Sequence, residues 1–181
     1  PSISGVWERL EARRRGAFEY PWTQAVLRAL ELDAYRNLRA HEPGWIARSL
    51  GIGDDEEARC IAFLRDTGQV TWTGTHFQQE ALAVDTGRHP AIGRRLKAHW
   101  SREGAKRAEA GAEGQFSYNV FAVSRADFEL IRAAHLDYFR SLRAIVKESS
   151  PQEVVAVANV QLFGLEASSI LHESNGLDEL E

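Results

Sequence analysis

Residues 51–74 read GIGDDEEARCIAFLRDTGQVTWTG, and the fold turns on how this stretch is parsed. Gly51 and Gly53 punctuate the chain, after which Asp54 to Asp66 has the composition of a helix, with Ala58, Ile61, Ala62 and Leu64 spread over its faces. The following residues, QVTWTGTHFQQEALAV (69–84), are β-rich and broken by a turn near Gly74, which predicts two short strands. The helix opens with Asp54, Asp55, Glu56 and Glu57. Four carboxylates in the first turn suit the positive pole of a helix, and Asp54 or Asp55 is placed to cap free N–H groups. The same four charges pressed against a phosphate-lined groove would be repelled. The cluster therefore reads as a folding device.

Upstream, PWTQAVLRALELDAYRNL (21–38) starts with Pro21 in a first-turn position and sets Val26, Leu27, Leu30, Ala34 and Leu38 at helical spacing, which predicts one core helix. EPGWIARSLGI (42–52) follows with a Pro-Gly turn, a short helix holding Trp45, Ile46 and Leu50, and Gly51 as its stop. Three helices and then a β-ribbon is the order of a winged helix-turn-helix. Before them, Val6, Trp7 and Leu10 share a face while Arg13, Arg14 and Arg15 crowd together, either as cations at a helix end or as phosphate contacts.

Downstream, residues 85–115 form a basic connecting helix and loop. Arg94, Arg95, Lys97, Arg102, Lys106 and Arg107 surround one narrow apolar stripe of Ile92, Leu96 and Trp100. A solvated face over a modest contact and a nucleic-acid or partner surface are both open, with Arg94, Arg95 and Lys97 the candidate phosphate contacts. Residues 116–166 read as a β-α-β unit. FSYNVFAVS (116–124) alternates, Ser124 caps a helix with Phe128, Ile131, Leu142 and Ile145 at helical spacing, and EVVAVANVQLFGL (153–165) is nearly all apolar. A parallel pair joined by a right-handed crossover is expected. Two strands alone are not stable, so further strands must come from the ribbon or from a second copy of the chain. Phe116, Tyr118, Val157, Val160 and Phe163 are the expected dimer interface. The acidic, turn-rich residues 167–181 read as a tail. The expected fold class is α+β, a winged-helix-like half (1–84) followed by the β-α-β unit.

The bulk numbers set limits. A chain of 181 residues with 44% hydrophobic and 27% charged residues suits one domain or two small ones sharing a core. A net charge of -4 supplies no global attraction to phosphate, so any nucleic-acid contact must come from a local basic patch. Cys60 is the only cysteine, which excludes an internal disulfide and fits a reducing cytoplasm. The chain lacks methionine and begins at Pro1, so a preceding segment is expected.

Taken in order, WIARSLGI, an acid-opened helix ending FLRDTGQV, then HPAIGRRLKAHW, FSYNVFAVSRADFELIRA and VVAVANVQLFGL resemble the successive signatures of an uncharacterised C-terminal domain of bacterial helix-turn-helix transcriptional regulators. The resemblance covers roughly residues 20 to 166. It implies an upstream Xre/Cro-type DNA-reading headpiece, with this chain as the regulatory and dimerisation portion, a homodimer. Direct winged-helix DNA binding and a small-molecule or peptide sensor are the alternatives.

Catalytic chemistry finds little support. His41, His76, His89, His99, His135 and His172 show no metal-ligand spacing, no serine sits in a nucleophile elbow and no glycines form a phosphate loop. Neither a cofactor nor an enzymatic activity is expected. Cys60 reads as a buried inert thiol. Trp45, Trp72, Phe77 and Trp100 either line a ligand pocket or stitch the ribbon to the basic helix.

Overall fold

The computed structural model describes residues 19–80 and 90–165. Val6 to Arg15, residues 81–89, the side chain of Ile92 and residues 166–181 lie outside that description. The elements are α1 (Thr23–Ala29), α2 (Asp33–Arg36), α3 (Trp45–Leu50), α4 (Asp54–Asp66), β1 (Val70–Trp72), β2 (Phe77–Gln79), α5 (Pro90–Glu109) and α6 (Arg125–Glu148). Helices and one small antiparallel sheet make the fold α+β.

The core is built by the first five elements. α1 packs on α3 and α4, α3 on α4, and α4 on β1. Val26 and Ala29 of α1, Ile46 of α3, Cys60 and Leu64 of α4 and Val70 of β1 are all buried. On α4 the buried positions 57, 60, 61 and 64 fall three and four apart, the signature of one helical face turned inward. β1 and β2 pair Val70 with Gln79, Thr71 with Gln78 and Trp72 with Phe77. Their connection is closed by Thr73 N–H donating to His76 O at 2.9 Å, with Gly74 at φ +103°.

The single helix expected over 21–38 is two helices. Leu32 is extended (φ -60°, ψ 135°) between α1 and α2. The break turns both Leu32 and Tyr35 into the core, at 7% and 1% exposure, and leaves Ala34 outside. Asp33 N–H, which a continuous helix would have bonded internally, donates instead to Gln152 O at 2.9 Å. A long-range backbone bond thus replaces a local one.

α5 lies against this body through Trp100, which meets the Trp22 ring at 5.1 Å, and through Arg107, whose guanidinium donates to Leu50 O at 3.0 Å. α6 begins at Ser124, whose hydroxyl accepts from Asp127 N–H at 3.1 Å, as the expected cap requires. The two expected strands beside it are not strands. Residues 115–124 and 152–165 carry no regular secondary structure, so α6 is a helix between two irregular segments. The physical reason is visible on α6, which has no buried residue. A crossover helix holds a parallel pair together by burying a face against it, and this one has no fully buried residue.

Candidate functional site

Two features stand out, the acid-opened α4 and the apolar surface of residues 116–165.

The N-cap of α4 is Gly53, which makes no side-chain bond, so the expected cap by Asp54 or Asp55 is not formed. The carboxylates act elsewhere. Glu56 pairs with Arg59 at 2.6 Å and accepts a weak bond from the Cys60 thiol at 3.8 Å. Glu57 is buried at 3% exposure and caps the preceding helix rather than its own. Its Oε1 accepts from Gly44 N–H at 3.2 Å and its Oε2 from Ala47 N–H at 2.6 Å. Gly44 is the N-cap of α3 and Ala47 the third residue beyond it, the two donors that a capping box normally satisfies from within its own helix. Gly44 has no side chain to offer. It sits at φ +82°, a backbone conformation that disfavours any side chain, and a Cβ there would press on Asp54 Oδ1 at 3.0 Å.

Beside Glu57 stands His41, with Nε2 4.0 Å from Glu57 Oε1 and Nδ1 3.2 Å from the Tyr35 hydroxyl. The Tyr35 oxygen also accepts from Phe77 N–H at 3.2 Å, which ties α2 to the hairpin. Burial pushes the His41 imidazole below the usual histidine range, against the opposing pull of the Glu57 carboxylate. Burial likewise raises the Tyr35 phenol. Cys60, wholly buried beside Glu56, is pushed up to about 12, so at neutral pH it is a thiol without nucleophilic character, as the sequence suggested.

An open cavity of about 740 Å³ lies over this cluster, with His41, Asp54, Glu57, Arg65, Trp72 and Phe77 in its wall. Trp72 and Phe77 meet at a tilt with ring centroids 4.9 Å apart, and the Arg65 guanidinium lies over the Phe77 ring at 5.9 Å. The four aromatics predicted from sequence are thus divided. Trp72 and Phe77 share the cavity wall, Trp45 packs on Tyr35 at 5.4 Å, and Trp100 joins Trp22 and His99 on the far contact with α5. The remaining exposed face of α4 carries Asp54, Asp55, Ala58, Arg59, Ala62, Arg65 and Asp66. Acid at its leading end faces solvent. Among the basic candidates, Arg94, Arg95 and Lys97 are exposed on α5, whereas Arg13, Arg14 and Arg15 lie outside the described residues.

The second feature is one of surface. Apart from Trp72, every exposed large hydrophobic side chain among the described residues lies between 116 and 165. All five expected interface residues are exposed: Phe116, Tyr118, Val157, Val160 and Phe163, with Tyr118 at 94%. Segment 152–165 is fastened to the rest of the chain at several points, beginning with Gln152 O, which accepts from Asp33 N–H. Val155 touches the core, and Asn159 and Gln161 both donate to Ser101 Oγ on α5.

Sequence reasoning missed the reach of Glu57 and the Tyr35–His41 pair. A signal was present for the first. A helix that starts after Pro43-Gly44, with no Ser, Thr, Asp or Asn to cap it, must have its free donors met from elsewhere.

The fold and these two features define a helical α+β protein with a capped helical body and exposed apolar side chains over residues 116–165. The chain belongs to the family described as "Domain of unknown function (DUF4423)", whose model matches residues 4–165. No curated protein and no solved structure matches it significantly. Among the described residues no helix is long and apolar enough to cross a membrane.

Proposed function

We propose that this chain is the regulatory and dimerisation portion of a bacterial transcriptional regulator, working as a homodimer in the cytoplasm, with DNA read by a separate Xre/Cro-type headpiece. The ordered motifs from WIARSLGI to VVAVANVQLFGL support the regulator assignment by resemblance. The single observation that carries the rest is that, among the described residues, the exposed large hydrophobic side chains other than Trp72 all fall within residues 116–165, a pattern that marks an interaction surface. α4 does not serve as a recognition helix in this reading. Its leading residues, which in helix-turn-helix docking meet base edges, are Asp54 and Asp55, and Glu57 is already committed to α3. Dimerisation would hold two headpieces at half-site spacing on a palindromic operator.

The test pairs the mass of the chain in solution with its affinity for duplex DNA across a salt series. The proposal expects a dimer with no appreciable affinity for duplex DNA. A monomer that binds with a steep salt slope would overturn it and install the alternative, direct binding through Arg94, Arg95 and Lys97, which are exposed along α5.

A further inference from the structure

The last third of the chain has the sequence of a sheet and helix, yet the single chain does not build the sheet. FSYNVFAVS and EVVAVANVQLFGL are rich in the branched and aromatic residues that fit a pleated surface, but both run without a ladder. α6 spans 24 residues, about 36 Å at 1.5 Å per residue, and buries none of them. Helices in water draw most of their stability from packing an apolar face. On α6 that face is well formed: Phe128, Ile131, His135, Tyr138, Leu142 and Ile145 recur at alternating steps of three and four. Tyr138 and Ile145 are exposed, and the other four are half-buried.

We infer that segments 116–124 and 153–165 become strands only against a second copy of this chain, in an intermolecular sheet covered by the apolar stripe of α6. Folding of residues 116–165 and dimerisation are then one event. The inference rests on the dimerisation reading above and adds what the interface is made of.

Three observations select a second copy as the occupant. First, the missing parts are the parts the chain itself offers: two strand sequences and one apolar helix face, supplied reciprocally under two-fold symmetry. Second, the charges permit it. Segment 116–124 carries no charged residue and 153–165 only Glu153 at its start, so like meets like without repulsion. On α6, Glu129, Asp137, Arg140, Arg143 and Lys147 lie off the stripe, and Asp127 meets it only in the first turn, where it bonds to Ser124. Third, 153–165 is held against the body at Val155, Asn159 and Gln161 while Val154, Val157 and Val160 remain exposed. A neutral apolar ribbon fixed to a folded body is a template for another chain's edge.

The experiment is amide hydrogen exchange read peptide by peptide on the intact chain, over a dilution series whose mass is followed by sedimentation. The expected result is a dimer in which amides of 116–124 and 153–165 exchange at least about a hundredfold more slowly than in the diluted monomer. A dimer whose two segments exchange at the monomer rate would overturn this inference and leave dimerisation standing. A chain that stays monomeric at all concentrations would overturn both. Tyr118→Lys and Val157→Lys, at positions exposed in the single chain, should each weaken association at least about tenfold, since lysine on a strand opposes edge pairing. An unchanged dissociation constant in both variants, with Cys60 still protected as a sign of an intact core, would likewise overturn it.

Discussion

Glu57 caps a helix to which it does not belong: its carboxylate spans from Gly44 N–H to Ala47 N–H, joining α4 to the start of α3 across the Gly51–Gly53 link. One buried side chain thereby satisfies two donors and fixes the relation of two core helices.

Replacement of that carboxylate should be expensive. Glu57→Ala leaves two buried N–H groups unmet, and a loss of about 2–4 kcal/mol is expected from the penalty for unsatisfied donors. Glu57→Gln should fall between the variant and the parent, because its amide nitrogen turns a donor toward a donor. Urea unfolding followed by circular dichroism measures both. A loss under about 0.5 kcal/mol for the alanine variant would show that the cap is dispensable.

Gly44→Ala tests the other side of the same contact. The φ of +82° disfavours any Cβ, and the new methyl would press on Asp54 Oδ1 at 3.0 Å. A destabilisation of about 1–2 kcal/mol is expected from the backbone conformation together with the contact. Adding Asp54→Ala should return the part due to crowding and leave the part due to φ. Full recovery in the double variant would mean that the backbone conformation contributes nothing.

Acid should weaken the body through its partly buried histidines. His41 and His99 both have imidazoles depressed below their ordinary 6.5, His41 and His99 alike mainly by burial. A group that binds its proton less readily when folded contributes stability above its unfolded pKa and loses it as pH falls from about 6.5 toward the depressed folded value. Thermal midpoints should therefore drop between pH 7 and 5. His99→Phe should flatten that slope while leaving stability at pH 8 unchanged or higher, because His99 Nε2 is buried without a hydrogen-bond partner and the ring sits edge-on to Trp22 and Trp100. An unaltered slope in this variant would remove His99 from the explanation.

Cys60 should resist modification until the core opens. With the thiol wholly buried and its pKa pushed up to about 12, reaction with a disulfide reagent at pH 8 is expected only in denaturant, at one equivalent per chain. Rapid labelling of the folded protein would contradict the packing of α4.

Much of the body was legible because local signals agreed with one another. Asp54 to Asp66 is the helix that composition predicts, Gly51 ends α3 in the left-handed region at φ +69°, and Ser124 caps α6. The break at Leu32 was not legible. Helical periodicity runs straight through it, and what stops the helix is the burial of Leu32 and Tyr35 and a bond to Gln152, all tertiary. The strands expected over 116–124 and 153–165 are absent: residue type alone suggested them, but a strand also needs a paired neighbour, and neither segment has a ladder partner here. For the aromatics, sequence proximity suggested one cluster, and the geometry divides them between the Trp72–Phe77 pair, the Trp45–Tyr35 contact and the Trp22–Trp100 contact. Phe116, Tyr118, Val157, Val160 and Phe163 are exposed in the single chain.

The reach of Glu57 also sets a rule on chain length. Only Gly51, Ile52 and Gly53 separate α3 from α4, and the carboxylate must return from the fourth residue of the second helix to the first turn of the one before. One residue inserted into the first turn of α4 would swing every later side chain by about 100° around the axis and carry the acid away from its two amides. Natural variation in this protein should therefore substitute letters freely along the outer face of that helix while leaving the spacing between Gly44 and Glu57 untouched.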